Sequence, residues 1–581
     1  MGQEITGPSG QFSTVVGATF ALLAAVYFVI KRAYPRPIPG IPYNEEALNS
    51  WMGDLPSLLK TQDEGRSVRP WFLSQGAKHN SALTQVFVGP FAKPAVVISD
   101  YREVCDILVH RSELDFKRGK KGEVFAGIMP LHRTVFESSD PRYKRSMELV
   151  RGLSTPSFLH EVHGPHSWKV AHDLMELWKL KGRLAKGHPF DVATNIIELG
   201  LDMSLSAACG LGPNGGDIRR QLTYLQSVAE TVAEAISSDY ADEPALIPEL
   251  PMSDKLVSVK TDEESMGRAF MLPWPALFHK VNKLRPSVRR ASRILKGFFR
   301  TCIDQSVSRM SAGHSPQNAL DAIIKRELAL AEKGEREPAY HDPLIFDELY
   351  GYLIAGHDSF SGSSAWIIRR LVGHPDEQAK VRADLRATYA EAAREGRPPT
   401  IAEMAKRAPY LDAFIEETLR LDCPTAQTTM TTRRDTVILG HAVPADTLVY
   451  LNMTGPSLTS PSIPVPAHAR SETARAQRFA GPDSWDGREP ERFVPERWIK
   501  RGGAASGSIR FDPSAGPFLT FGTGPRQCWG KRLGYQNLRI TFTILIWCLE
   551  FSLPEGHVSF EAYDSLVVAP KQSLIRVTEV Q

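Results

Sequence analysis

Near the carboxyl end the chain reads FLTFGTGPRQCWGKRLGYQNLRI, where Phe521, Gly524, Arg526, Cys528 and Gly530 spell F-x-x-G-x-R-x-C-x-G. Five fixed residue types within ten positions constrain this chain more than any other stretch. Glycines at Gly522, Gly524 and Gly530 let the backbone fold tightly around the cysteine, so that N–H groups can point at its sulfur. Phe521 can wall that sulfur off from water. Arg526 supplies a cation for a ligand carboxylate through a charge-assisted contact. A thiolate bound to haem iron has these needs: it pushes electron density across the metal, and hydrogen bonds to the sulfur tune the reduction potential. A dinucleotide loop is excluded, because the spacing from Gly522 and Gly524 would place glycine where Gln527 stands, and no βαβ unit surrounds it.

The other five cysteines, Cys105, Cys209, Cys302, Cys423 and Cys548, are scattered and form no C-x-x-C pair. A disulfide framework or a zinc ribbon is therefore not expected, and plain packing is. A composition of 42% hydrophobic and 23% charged residues belongs to a globular protein. A net charge of +3, with no basic stripe interleaved with aromatics, gives no footing for nucleic acid.

From Phe12 to Ile30 there are 19 residues without a charge. As a helix they span roughly 28 Å, close to the hydrocarbon core of a bilayer. Only Glu4 is charged before them, whereas Lys31, Arg32 and Arg36 follow. These flanks speak against a cleaved signal peptide and for an uncleaved anchor with a lumenal amino terminus and a cytoplasmic body. Pro35, Pro37, Pro39 and Pro42 then form a stiff spacer. The expected organisation is an anchor over 1–32, a proline-rich hinge over 33–42 and one catalytic domain over 43–581.

Helical periodicity dominates from about residue 140 to 421. HSWKVAHDLMELWKL, ATNIIELGLDMSLSAA, RRASRILKGFFRTCIDQSVSRM and the thirty-residue LIFDELYGYLIAGHDSFSGSSAWIIRRLVG read as helices. ALTQVFVG, AVVIS, DTVILGHAV and TLVYLNM read as short strands. The stretch from Gly455 to Pro495 reads mostly as loop, and ITFTILIWCLEF as a buried core helix too short to span a bilayer. The fold class is mainly α with small β-sheets, behind one transmembrane helix.

The cysteine pattern resembles the signature of the cytochrome P450 superfamily, the haem-thiolate monooxygenases. Gln527 and Trp529 depart from the glycine and the smaller or phenyl side chain common there, without touching the defining positions. The resemblance spans about residue 43 to the end; GHAVPADT and the cysteine segment look most like fungal microsomal members. It implies haem b on Cys528, dioxygen and an apolar small-molecule substrate. It also implies an NADPH–cytochrome P450 reductase, with cytochrome b5 as an optional second donor, at an endoplasmic reticulum membrane.

By the same resemblance Ala355-Gly356-His357-Asp358-Ser359 matches the A-G-x-D/E-T/S motif above the haem. Gly356 would let oxygen and substrate come close. The Ser359 hydroxyl would bond back to the Ala355 carbonyl, bending the helix, and Asp358 with Ser359 would relay protons. His357 reads as a surface or packed residue. Glu417 and Arg420 match the family's E-x-x-R pair, completed by an arginine in FVPERW: Arg497, or Arg492 as the alternative. The family's W-x-x-x-R helix is degenerate here, with Asp140 at the tryptophan position and Lys144 or Arg145 to serve a haem propionate. Trp274, Phe270 and Phe278 in AFMLPWPALF are expected to touch the bilayer. Asn452-Met453-Thr454 is a glycosylation sequon that a cytoplasmic body would leave unused. A reductase-independent isomerase or dehydratase, and a fatty-acid or xenobiotic hydroxylase, remain alternatives to secondary-metabolite oxidation.

Overall fold

The structure, a computed structural model, describes residues 8–63, 68–212, 215–236, 243–272, 274–502, 508–564 and 566–580. Residues 1–7 of the expected anchor lie outside the described residues. Helix α1 (Pro8–Ala33) follows, and Lys31 and Arg32 in its last turn complement the negative end of its dipole. Its segment Val16–Ala33 is long and apolar enough to cross a membrane, and only 6% of it is buried against protein.

The helices that build and position the site are α2 (Lys120–Ala126), α3 (Pro141–Leu149), α4 (Gly164–Leu184), α5 (Ala193–Ala208), α6 (Asp254–Met271), α7 (Pro275–Asn282), α8 (Pro286–Ser311), α9 (Pro343–Gly373), α10 (Pro409–Leu421) and α11 (Lys531–Cys548). The local sequence explains several boundaries. Asp342 caps α9 by accepting the N–H of Leu344 at 2.9 Å, with Pro343 in the first turn. Ser253 caps α6 in the same way through Leu256.

The strands are β1 (Leu83–Val86), β2 (Ala95–Ile98), β3 (Phe116–Lys117), β4 (Phe190–Asp191), β5 (Gln427–Thr432), β6 (Leu448–Asn452), β7 (Leu549–Ser552), β8 (Ala562–Asp564), β9 (Val568–Pro570) and β10 (Leu574–Glu579). Two further ribbons pair Thr436–Ile438 with His441–Val443 and Ile499–Arg501 with Ile509–Phe511. The main sheet runs β1-β2-β6-β5-β3; β2 and β6 are parallel, with Ala95 opposite Leu448, and the other pairs are antiparallel. A second sheet runs β7-β10-β4, and β8 and β9 form a hairpin.

The apolar run ITFTILIWCLEF is not one helix. Helix α11 stops at Cys548, and β7 begins at Leu549, where Leu549 and Phe551 turn inward and Glu550 outward. That period-two alternation suits a strand paired with β10. The largest core cluster gathers α4, α9, α10 and α11; a second gathers α5, α6, α8 and α9. Helix α9 belongs to both, so it forms the central beam. Asn452 is buried and donates to Ser99 at 2.9 Å, which takes the sequon out of reach whatever side the body occupies.

Candidate active site

The cysteine loop turns on two glycines in the left-handed region, Gly522 at φ +65° and Gly524 at φ +75°. At Gly524 a Cβ would meet the Leu108 carbonyl oxygen at 2.4 Å, so only glycine lets the loop lie there. The Cys528 N–H donates to the Phe521 carbonyl at 2.8 Å and closes the loop, and α11 starts three residues later. Cys528 retains accessible surface, yet burial pushes its thiol up. The sulfur therefore faces an interior space rather than bulk water. The Gly530 N–H, Arg133, Lys121 and Lys531 act in the opposite sense and favour the thiolate.

Around the sulfur, Phe521 packs on Tyr535 with ring centroids 4.9 Å apart. Trp529 carries the Arg133 guanidinium 4.6 Å over its ring and meets Tyr352 of α9 edge-on at 6.4 Å. That contact fixes which part of α9 covers the cysteine. One turn beyond Tyr352, Ala355 is exposed and Gly356, Asp358 and Ser359 are half-buried, while Leu353, Ile354, His357 and Phe360 are buried. Ser359 Oγ donates to the Ala355 carbonyl at 2.7 Å, although α9 runs unbroken through this turn. Gly356 does something other than expected: a Cβ there would meet Ser204 Oγ at 2.8 Å, so its bareness admits α5 rather than a ligand. His357 is buried, not on the surface, and paired with Glu263 at 2.6 Å. Burial first, and then the charge of Glu263, raise the Asp358 carboxyl to about 7.

The cations assembled here differ from those the W-x-x-x-R resemblance suggests. Asp140 caps α3 by accepting the Arg142 N–H, Lys144 is exposed, and Arg145 pairs with Asp342 at the start of α9. Instead Arg118, Lys121, His132, Arg133 and Arg526 converge. Arg526 donates to the carbonyls of Arg133 and Phe136 at 3.1 and 3.2 Å. Lys121 donates to Thr428 at 3.0 Å, and burial, then Arg118 and Arg526, hold its amine down near about 7. Arg118 Nε and His132 Nε2 are buried without hydrogen-bond partners among the described residues. Arg118 is a buried cation with an unpartnered Nε, and Lys121 and Arg526 stand against it, so the cluster fits a ligand that brings its own carboxylates, as haem does. No sequence pattern marks Arg118, Lys121 or His132; only the fold brings them together.

Glu417 of α10 receives both Arg420 nitrogens at 2.8 Å and Arg497 Nε at 2.9 Å. It also receives the Trp498 indole at 2.8 Å and the Val494 N–H at 2.9 Å. Burial alone would raise this carboxyl, but Arg420 and Arg497 more than reverse it, and the net shift is downward. Arg492 reaches the cluster only through its carbonyl; its side chain pairs with Glu489 in solvent. The Trp498 bond was hidden in FVPERW, whose tryptophan carries no spacing rule.

A thiol beside cations that favour its thiolate calls for a metal, and a buried basic cluster calls for an acidic ligand. Together these demands define a haem-thiolate enzyme. The chain belongs to the cytochrome P450 family, whose model, described as Cytochrome P450, matches residues 72–458 and 481–577. The cytochrome P450 monooxygenase TRI13 of Fusarium sporotrichioides is 30% identical over 96% of this chain and 98% of that protein. The cytochrome P450 monooxygenase GME11363 of Pestalotiopsis microspora is 29% identical over 98% and 99%. The crystal structure of the cytochrome P450 CYP102L1 is 16% identical and shares the fold, with a TM-score of 0.64 over 94% of this chain and 100% of that one. The protein is thus a fungal-type P450, an oxygen-incorporating oxidoreductase with a haem cofactor.

Proposed function

We propose that the protein is a membrane-anchored monooxygenase of fungal secondary metabolism that takes electrons from an NADPH–cytochrome P450 reductase and oxidises an apolar small molecule. The observation that carries this reading is the glycine-turned loop of Cys528 beside the buried basic cluster of Arg118, Lys121 and Arg526. Cys528 would hold haem b through its thiolate, with Lys121, Arg118 and Arg526 toward the haem carboxylates, and the bound haem would supply the dioxygen chemistry. The Gly530 N–H and the start of α11 steady the thiolate. Phe521 and Trp529 keep water from it. Asp358, with a carboxyl near neutrality, can hold and release a proton at physiological pH, and the Ser359 hydroxyl stands beside it in sequence. Glu417, Arg420 and Arg497 hold the loop's surroundings rather than take part in the reaction.

The surface supports an apolar substrate arriving from a bilayer. A cavity of about 300 Å³ is lined by the apolar Val88, Phe91 and Trp274 and also by Lys93, Glu123 and Asp446. The Phe91 N–H donates to the carbonyl of Ala33, the last residue of α1, at 3.3 Å, which sets the end of the anchor at this mouth. Trp274 is 60% exposed, and Leu277, Val281 and Leu284 follow at helical spacing on the same exposed side. Phe270 and Phe278, expected at the bilayer, pack inward against the core instead. These flanks support an endoplasmic reticulum anchor with the body in the cytoplasm.

The test is the spectrum of the reduced, carbon-monoxide-bound protein, followed by turnover with reductase, NADPH and isotopically labelled dioxygen. The expected result is a haem-thiolate spectrum that Cys528→Ser abolishes, and one labelled oxygen in the product. Label-free product formed without NADPH would overturn the reading in favour of an isomerase or dehydratase.

A further inference from the structure

A cavity of about 270 Å³ lies along the flank of α9, walled by α9, α6, the start of α5 and the β8–β9 hairpin. At its wall stands Asp358, whose Oδ2 is buried without a hydrogen-bond partner among the described residues. Beside it, His357 Nδ1 lies 2.6 Å from the Glu263 carboxylate and His357 Nε2 lies 3.2 Å from the Ile197 carbonyl. Both ring nitrogens lie within reach of oxygen acceptors, an arrangement that favours the doubly protonated ring. Burial alone would lower His357, and Glu263 more than reverses that.

Glu263 comes from another helix. Two successive acids of α6 reach α9: Asp262 accepts the Tyr350 hydroxyl, and Glu263 accepts His357. The pair therefore forms only while α6 is seated on α9. The charged and titratable groups facing Asp358 are Lys260, Glu263 and Glu264 from α6, Tyr563 from β8, and His357 and Arg369 from α9 itself. The start of α5 brings apolar side chains and the Ile197 carbonyl.

We propose that Glu263 and His357 are positioning residues that set the protonation of Asp358, and that the seating of α6 is thereby coupled to the proton held beside Ser359. The use made of that proton rests on the monooxygenase reading; the coupling itself does not. Burial first and Glu263 second raise the Asp358 carboxyl, while His357 and Lys260 lower it. Removing His357 leaves the Glu263 charge uncompensated and pushes Asp358 up, whereas removing Glu263 also lets burial discharge His357, so the two losses offset at Asp358. A pair that served only to hold two helices together would not do this.

The experiment is a pH titration by difference infrared spectroscopy of the full-length ferric holoprotein in lipid nanodiscs. The protonated-carboxyl band of Asp358 is identified by its loss in Asp358→Asn. The wild-type midpoint is expected near about 7. In His357→Gln it should rise by about one pH unit, and in Glu263→Gln it should move by much less. The pH profile of product formation with reductase should move the same way in each variant. Lys260→Met, on the exposed side of the cavity, should also raise the midpoint, and it carries the test if His357→Gln does not fold. Unmoved midpoints in the cation variants, or an equal rise in Glu263→Gln, would overturn the proposal. The infrared titration needs no turnover, so a failure of the monooxygenase reading leaves its result interpretable.

Discussion

At the scale of single residues, buried charge decides most outcomes. Arg497 is 4% exposed at its side chain and faces a Glu417 that has no water to fall back on. Removing Arg497 takes one of two cations from the buried Glu417, which Arg420 still pairs, and costs about 1–3 kcal/mol. Arg497→Ala should lower the denaturation midpoint sharply and shed haem, whereas Arg492→Ala, paired with Glu489 in solvent, should leave both unchanged. Chemical denaturation followed at the haem absorbance separates the two. The sign of the pH effect follows from the depressed Glu417 carboxyl: its stabilisation is present above the ordinary carboxylate range and is lost as pH falls through the lower folded value. Lys121 behaves differently. Its amine is deep, with burial holding it down, so Lys121→Met should stabilise the haem-free protein and yet speed haem loss from the loaded one. Haem transfer to an apo-acceptor measures that loss, and a slower transfer would show that Lys121 faces no ligand carboxylate.

At the scale of elements, what the sequence makes legible is what it writes at fixed spacing. The thirty-residue run of α9, the cysteine loop and the Glu417–Arg420 pair are local patterns, and each appears where the pattern puts it. The helix-to-strand switch at Leu549 is not legible as such, because LEFS carries its period of two over only four residues and takes its meaning from β10. The basic residues of α3 mislead for a related reason: Arg145 finds Asp342, a partner 197 residues away in sequence. Close helix crossings are hidden as well. At Gly200 of α5 a Cβ would meet Ser361 Oγ at 2.0 Å and the His357 carbonyl oxygen at 2.8 Å. The hydroxyl can rotate away, but the carbonyl belongs to α9 itself, so the helices must part. Gly200→Ala should therefore cost about 1–3 kcal/mol despite the gain in helix propensity. Thermal unfolding of the holoprotein checks this, and an unchanged midpoint would mean the crossing yields easily.

At the scale of the whole molecule, the question is how the body sits on its membrane. A helix alone would tether the body loosely through the proline-rich hinge. The bond from Phe91 to Ala33 removes that freedom, because it joins the end of α1 to the tip between β1 and β2. The apolar face of Trp274, Leu277, Val281 and Leu284 lies by the same mouth, since Trp274 lines the cavity that Phe91 borders. On the proposed membrane reading the bilayer is met twice, by α1 and by this shallow face, and the two together fix an orientation that either alone would leave free. The shallow contact should then survive loss of the spanning one. A protein lacking residues 1–32 is expected to bind vesicles weakly, and Trp274→Glu combined with Leu277→Glu should abolish that binding while leaving the fold intact, since both side chains face outward. Flotation with neutral lipid vesicles reads the difference. In the full-length protein the same pair of substitutions should raise the KM for a membrane-dissolved substrate and spare a water-soluble one, because only the first depends on the mouth meeting the lipid. Equal effects on both substrates would place the entrance elsewhere.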